Sequence, residues 1–282
     1  MPGATQFFWP RLRRGGLRRE FFRQDEDRAV IWPAGYGRRV LAEVDSTNAE
    51  GLRRAAAAVA GGPEWILALR QTGGRGRRGR AWSDPPGNFA ATLVLPLVGG
   101  VGDAALYSFV AALALGDACV EVTGQPGLFA LKWPNDVLLQ GGKMAGILLE
   151  STVLAPGRLV LAIGIGVNLL HAPVPESLEP GSVAPVSLKA GAGVEIAPEA
   201  FLDPLARGFA HWQRVLERDG FAPVRSAWLD RAARLGEEIT ARTMRDSVTG
   251  RFAGIDAGGQ LVLDTAGGRV LVPAADIYFG RG

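Results

Sequence analysis

The sequence predicts an α+β protein: a mixed β-sheet domain flanked by helices, then a small all-β unit. Three observations carry this. Leu128 to Leu169 holds four strand-like runs joined by tight turns. A helix from Asp103 to about Val120 puts Leu106, Phe109, Val110 and Leu113 on one face, and a helical pair follows at about Pro198–Arg218 and Ala222–Arg234. From Gly236 the pattern changes to short strands with turns at Asp256-Ala257-Gly258-Gly259 and Ala266-Gly267-Gly268, the signature of a barrel or sandwich of about 45 residues. The chain of 282 residues then divides into an extension, 1–37, a main domain, 38–233, and a β domain, 234–282.

Within the main domain, Arg39 to Val44 reads as a strand. Ser46-Thr47-Asn48-Ala49-Glu50 opens a helix, with Thr47 and Glu50 at capping-box spacing, and Gly61-Gly62-Pro63 stops it after the alanine tract to Ala60. Trp65 to Arg70 and Asn88 to Leu95 read as strands on either side of an Arg/Gly loop. Leu128 to Lys132, Val137 to Leu139, Lys143 to Ser151 and Arg158 to Leu169 complete the set. The last strand has two unlike faces. Leu159, Leu161, Ile163, Ile165, Val167 and Leu169 form a bulky one; Val160, Ala162, Gly164, Gly166 and Asn168 form one that shrinks to glycine. Glycine inside a strand marks tight packing or the close approach of a backbone or ligand. Residues 170–197 are a Pro/Gly/Ser-rich connection.

The composition, 48% hydrophobic and 21% charged, is that of a globular domain. Apolar stretches such as Val110–Leu115 and Leu159–Ile165 are too short or too glycine-broken to span a bilayer, so no membrane contact is expected. Cys119 is the single cysteine, which excludes an internal disulfide and suits a reducing cytoplasm; a buried, inert thiol is expected. His171 and His211 lack metal-ligand spacing, and no Ser/His/Asp set is evident. Net charge is only +3, but arginines cluster at 11–39 and 75–80.

The densest motif is Gly74-Arg75-Gly76-Arg77-Arg78-Gly79-Arg80. Its glycines admit an anion to the backbone and its guanidinium groups grip phosphate or carboxylate. Four like charges repel, so the free loop is expected to be mobile until a polyanion orders it. It does not fit the phosphate-loop pattern of ordinary γ-phosphate transfer. Trp82 can stack on a base or fill the core. Lysine is scarce, at 132, 143 and 189 only, and two of the three fall in Lys132-Trp133-Pro134-Asn135-Asp136 and Gly142-Lys143-Met144-Ala145-Gly146. Asn135-Asp136 after proline is a plain turn or a nucleotide and metal contact. Lys143 is either a solvated lysine or the ammonium that lets a carboxylate approach a phosphate.

Together with Ser46-Thr47-Asn48, Gln71-Thr72-Gly73 and Gly164-Ile165-Gly166-Val167-Asn168, these motifs resemble those of the biotin–protein ligases, also called biotin–[acetyl-CoA-carboxylase] ligases or holocarboxylase synthetases, in their order and spacing over about 38–280. The resemblance implies a class II synthetase-like sheet of the biotin/lipoate ligase type and an SH3-like C-terminal barrel. It implies two steps. Biotin's carboxylate attacks the α-phosphate of ATP to give biotinyl-5′-AMP and pyrophosphate; a lysine of a biotin carboxyl carrier protein domain then attacks the anhydride. ATP and Mg²⁺ are the implied cofactors, with biotin as substrate.

Carried over by position, the catalytic roles fall to Lys143, Arg75 and Arg77. Ser46, Thr47, Asn48 and Gln71 match contacts to biotin's ureido head and its surroundings. Gly74, Arg75, Gly76 and Arg77 match the loop that closes over it, with Lys143 at the reacting groups and Gly146, Leu148 and Gly164 lining the slot. Arg77, Arg78, Arg80, Trp82, Asn135, Lys143 and Asn168 match nucleotide contacts, and Asp136 is the candidate Mg²⁺ contact. Lys143 and Gly146 have opposite strand parity, so a bulge or bend is required if both face the ligand. Many relatives carry a DNA-binding winged helix before the catalytic domain. Residues 1–37 are short and lack that pattern, so a ligase without repressor activity is expected, as a monomer or homodimer. The rivals are a lipoate ligase of the same fold and an RNA-binding protein using the Arg/Gly loop.

Overall fold

The computed structural model describes residues 32–57, 61–97, 101–155, 158–173, 183–243, 246–273 and 276–279, all within one compact unit. Its elements in chain order are β1 (Gly37–Leu41), α1 (Thr47–Ala56), β2 (Glu64–Ala68), β3 (Phe89–Leu97), α2 (Val101–Thr123), β4 (Phe129–Lys132), β5 (Asp136–Leu139), β6 (Gly142–Ala155), β7 (Arg158–Val167), α3 (Leu188–Ala192), α4 (Pro198–Asp219) and α5 (Phe221–Leu229). Five strands follow: β8 (Glu238–Arg242), β9 (Ser247–Ile255), β10 (Leu261–Thr265), β11 (Gly268–Val272) and β12 (Asp276–Phe279). The first seven strands form one sheet in the order β1-β2-β3-β7-β6-β5-β4. Only β1 and β2 pair in parallel, so the sheet is mixed, as expected. The last five form an antiparallel sheet in the order β11-β10-β9-β8-β12.

The bulky face of β7 is the core. Leu159, Leu161, Ile163, Ile165, Val167 and Leu169 are all buried, with α2 packed on β7 and α4 and α5 packed on α2. Aromatic edges lock this layer: Trp65 meets Phe209 and Phe109 meets Trp228 at near-perpendicular angles. The core continues into the C-terminal sheet through Ile239, Phe252 and Leu261. There Trp133 is buried and its ring N–H donates to the Gly259 carbonyl at 3.1 Å. The second residue of Lys132-Trp133-Pro134-Asn135-Asp136 thus joins the two sheets.

Several expectations need correction. Helix α2 runs from Val101 to Thr123, so Asp103 lies in its first turn rather than capping it. This helix is long and apolar enough to cross a membrane by length and composition, contrary to the sequence reading, but most of its apolar surface is buried in the core. Ser46, not Thr47, caps α1, accepting from the Ala49 N–H. Thr47's hydroxyl is taken by tertiary partners, and Glu50 pairs with Arg53. The described part of α1 ends at Ala56, and residues 58–60 lie outside the described residues. Helix α3 inside the 170–197 connection was not anticipated, and α5 ends at Leu229 rather than Arg234. Residues 1–31 of the expected extension, 1–37, lie outside the described residues. Trp32 and Tyr36 belong to the folded unit, Tyr36 donating to Gln213 of α4 at 2.5 Å.

Candidate active site

The second face of the sheet is cut away by small residues. Strand register aligns Thr92, Gly164 and Leu148 in one row, and Ala90, Gly166, Gly146 and Asp136 in the next. Helix α1 lies against this face beside Thr92 and Val94, where a Cβ on Gly51 would strike Val94. A Cβ on Gly164 would collide with the Asn48 amide, and one on Gly166 with the Trp82 ring. The two glycines that shrink β7 are therefore a floor on which Asn48 and Trp82 lie. Trp82 is half-buried over that floor, so it is not a core plug. Gly164→Ala is expected to destabilise the fold by about 1–2 kcal/mol, the overpacking cost less the small entropic gain from replacing glycine. The midpoint of urea unfolding measures this, and an unchanged or higher midpoint would contradict the tight seat of Asn48.

Strand β6 delivers Lys143 to the same floor. Register jumps between Val137 and Leu138, so Val137 faces Ala145 and Leu138 faces Lys143, and Met144 has no partner on β5. This is the bulge that strand parity required. A Cβ on Gly146 would lie 3.7 Å from Lys143 Cε, 3.7 Å from Asp136 Oδ1 and 3.3 Å from Trp82. Lys143 Nζ sits 2.7 Å from Asp136 Oδ1, and Lys132 Nζ sits 3.4 Å from Oδ2. Burial alone would raise the Asp136 carboxyl; Lys143 and then Lys132 outweigh it and hold the group below the ordinary carboxylate range. Burial lowers the Lys132 ammonium, with Asp136 opposing. The cluster carries two cations on one buried anion. Asp136, the candidate magnesium contact, faces both ammonium groups. No group of three or more His, Cys, Asp or Glu suited to a metal occurs among the described residues.

The Arg/Gly loop closes one side. Its backbone makes a tight turn at Arg77–Gly79, with Arg78 in the left-handed region at φ 57° and Gly79 at φ 73°. The charges are not left to repel one another. Asp276 of β12 accepts from Arg78 at 2.7 Å and from Arg80 at 2.6 Å, and lies 3.5 Å from Arg77. Burial lowers Arg77, which also reaches Asn135 Oδ1 at 3.5 Å. Arg75 turns the other way, to Glu150 Oε1 at 3.5 Å.

The polar head of α1 forms a buried network. Gln71 Oε1 accepts from the Thr47 N–H at 2.9 Å, and Gly74 packs against the Gln71 amide. Thr92 Oγ1 lies 2.8 Å from Thr47 Oγ1 and donates to Asn48 Oδ1 at 2.6 Å. Asn48 Nδ2 donates to Glu150 Oε2 at 2.8 Å. Asn168 is turned to the 183–188 segment, donating to the Val186 carbonyl at 3.3 Å, while its buried Oδ1 has no hydrogen-bond partner. Of the residues singled out in the sequence, Asn48, Trp82, Asp136, Lys143, Gly146, Leu148, Gly164 and Gly166 meet on one sheet face, while Arg78 and Arg80 turn to β12 and Asn168 to the 183–188 segment. Thr92, Glu150 and Asp276 were missed. Strand parity could have shown the first two, since Thr92 stands alone in an apolar run and Glu150 shares the parity of Gly146 and Leu148. Asp276 gave no local signal.

Residues 43–169 match the Biotin/lipoate A/B protein ligase family and residues 235–280 the Biotin protein ligase C terminal domain. The biotin–[acetyl-CoA-carboxylase] ligase of Paracoccus denitrificans is 54% identical over 241 residues, covering 86% of this chain and all of that one. The chain belongs to the biotin–protein ligase family. Another ligase relative, the bifunctional ligase/repressor BirA of Bacillus subtilis, is 31% identical over 76% of this chain and 66% of its own length. Among solved structures, the biotin protein ligase of Aquifex aeolicus in complex with biotin and ATP superposes with a TM-score of 0.70 at 25% identity, over 87% of this chain and 99% of that one. The mixed sheet and the antiparallel C-terminal sheet are those of the ligase fold, the latter consistent with an SH3-like domain.

Proposed function

We propose that this chain joins biotin to a lysine of a biotin carboxyl carrier protein through biotinyl-5′-AMP, using ATP. The observation that carries the reading is the bulge in β6, which sets the Lys143 ammonium on the glycine floor beside the arginine loop. In the first step a biotin carboxylate oxygen bonds to the α-phosphorus, and the bond from that phosphorus to the bridging oxygen breaks as pyrophosphate leaves. Lys143 cancels the repulsion between the two anions. We assign the ureido head to Ser46, Thr47, Asn48 and Gln71, the slot to Gly146, Leu148 and Gly164, and the closing loop to Gly74, Arg75, Gly76 and Arg77. The nucleotide is assigned to Arg77, Arg78, Arg80, Trp82, Asn135 and Asn168, whose orphan Oδ1 supplies an acceptor for an amino group. In the second step the carrier lysine's amine attacks the anhydride carbonyl and AMP leaves. Positioning and charge supply the catalysis, since no enzyme nucleophile is needed.

Domains at 38–233 and 234–282, a cytoplasmic setting and the lack of repressor activity belong to the same proposal. The Paracoccus relative supports the last point, being matched along its whole length and named as a ligase alone. Magnesium would travel with the ATP phosphates. Exchange of labelled pyrophosphate into ATP tests the reading. Exchange is expected with biotin and not with lipoate; exchange with lipoate alone, or RNA binding without exchange, would replace it.

A further inference from the structure

We propose that Glu150 is a positioning residue, one carboxylate that orients Asn48 with one oxygen and docks the arginine loop through Arg75 with the other. It rests on the reading of the site given above. Glu150 lies on β6 two residues beyond Leu148, on the floor side, opposite Ala162 of β7. Its Oε2 accepts from Asn48 on α1 and its Oε1 faces Arg75 on the loop.

The carboxylate sets the direction of the whole network. An ionised carboxylate only accepts, so the Asn48 NH₂ group must face it and Oδ1 must face Thr92. The Thr92 hydroxyl has one proton and donates it to Oδ1 at 2.6 Å, the shorter of its two hydroxyl contacts, while the Thr47 hydroxyl 2.8 Å away donates to Gln71 Oε1 at 3.1 Å. Asn48 thereby keeps a carbonyl oxygen with one further lone pair over the glycine floor. That suits a ligand that brings N–H donors, as a cyclic urea does. Reversing the amide would set a donor against a donor. The two contacts differ in weight. Asn48 is buried and its bond to the charge is short, whereas Arg75 and Glu150 are partly exposed and 3.5 Å apart, the class of ion pair that contributes little alone. Glu150 should thus act on biotin affinity through Asn48, and on loop docking more weakly through Arg75.

Three variants separate these effects: Glu150→Ala removes both contacts, Glu150→Gln removes the charge at nearly constant shape, and Thr92→Val removes the hydroxyl and leaves the Arg75 pair. Two measurements are made on the full chain: KM for biotin and for ATP in pyrophosphate exchange, and the rate of trypsin cleavage within residues 75–80, located by mass spectrometry, without ligand. Glu150→Ala and Thr92→Val are expected to raise the biotin KM roughly three- to tenfold, the loss of one such hydrogen bond, with the ATP KM little changed. Thr92→Ser should restore it. Glu150→Ala and Glu150→Gln, but not Thr92→Val, should speed cleavage of the loop. Wild-type biotin KM in Glu150→Ala and Thr92→Val, or equal loop cleavage in all four proteins, would overturn the proposal. If Glu150→Ala does not fold, Glu150→Gln carries both tests, since losing the charge weakens the contacts to Asn48 and to Arg75. Absence of biotin-dependent exchange in the wild-type protein would instead sink the ligase reading, and the cleavage rates would still decide the docking role.

Discussion

Lys143→Ala is expected to lower biotin-dependent pyrophosphate exchange by about 10²–10³-fold, the loss seen when one preorganised electrostatic partner of a developing charge is removed. The fold should survive, because Asp136 keeps Lys132 as counter-ion and one cation then faces one anion. Lys143 is also partly exposed, so its removal opens no large cavity. Lys143→Arg should rescue little: a planar fork on a longer arm does not place a point charge where the ammonium stands. Activity near wild type in Lys143→Ala, with an unchanged melting curve, would take this lysine out of the chemistry.

Asp136→Asn should damage the fold more than the rate alone reveals. The variant leaves two ammonium groups around a buried neutral amide, and breaking a buried pair this way costs roughly 3–5 kcal/mol. The pH dependence identifies the cause. In the wild-type protein Asp136 lies below its ordinary 3.8, so its contribution is present above that pH and lost only as acid takes the pH down through the lowered value. Lys132 is already lowered from 10.5 by burial; without Asp136 it falls further. Between the lowered value and 10.5 the unfolded chain holds a proton that the folded one does not, so stability rises with pH there. Urea midpoints should therefore climb from pH 7 to pH 9.5 more steeply in Asp136→Asn than in the wild type. Parallel curves would show that Asp136 is not the anion that keeps Lys132 charged.

Much of this was legible in the sequence where the signal is local. The period-two alternation of β7 exposed both the core face and the glycine face, and the clash of parity between Lys143 and Gly146 required the bulge in β6. Local signals also misled. Thr47 and Glu50 had capping-box spacing, yet Ser46 caps the helix, and the Thr47 hydroxyl is engaged with Gln71 and Thr92. Asp103 looked like a cap but falls inside a helix that starts earlier. The loop looked like four unbalanced charges because its partner, Asp276, is between 196 and 199 residues away along the chain. Contacts of that separation are set by the packing of the two sheets, and neither spacing nor composition records them. Thr92 and Glu150 fall between these cases, since each has a strand parity that can be read, but their partner on α1 is fixed only by tertiary contact.

Strand β12 is an edge strand, held to the C-terminal sheet by four residue pairs with β8, and it presents Asp276 to Arg78 and Arg80. For handling the protein this has a practical meaning. A purification tag or fusion partner added beyond this strand would load the pairs of Asp276 with Arg78 and Arg80. Tags belong at the other terminus, and preparations that differ only in this respect should not be assumed interchangeable in kinetic work.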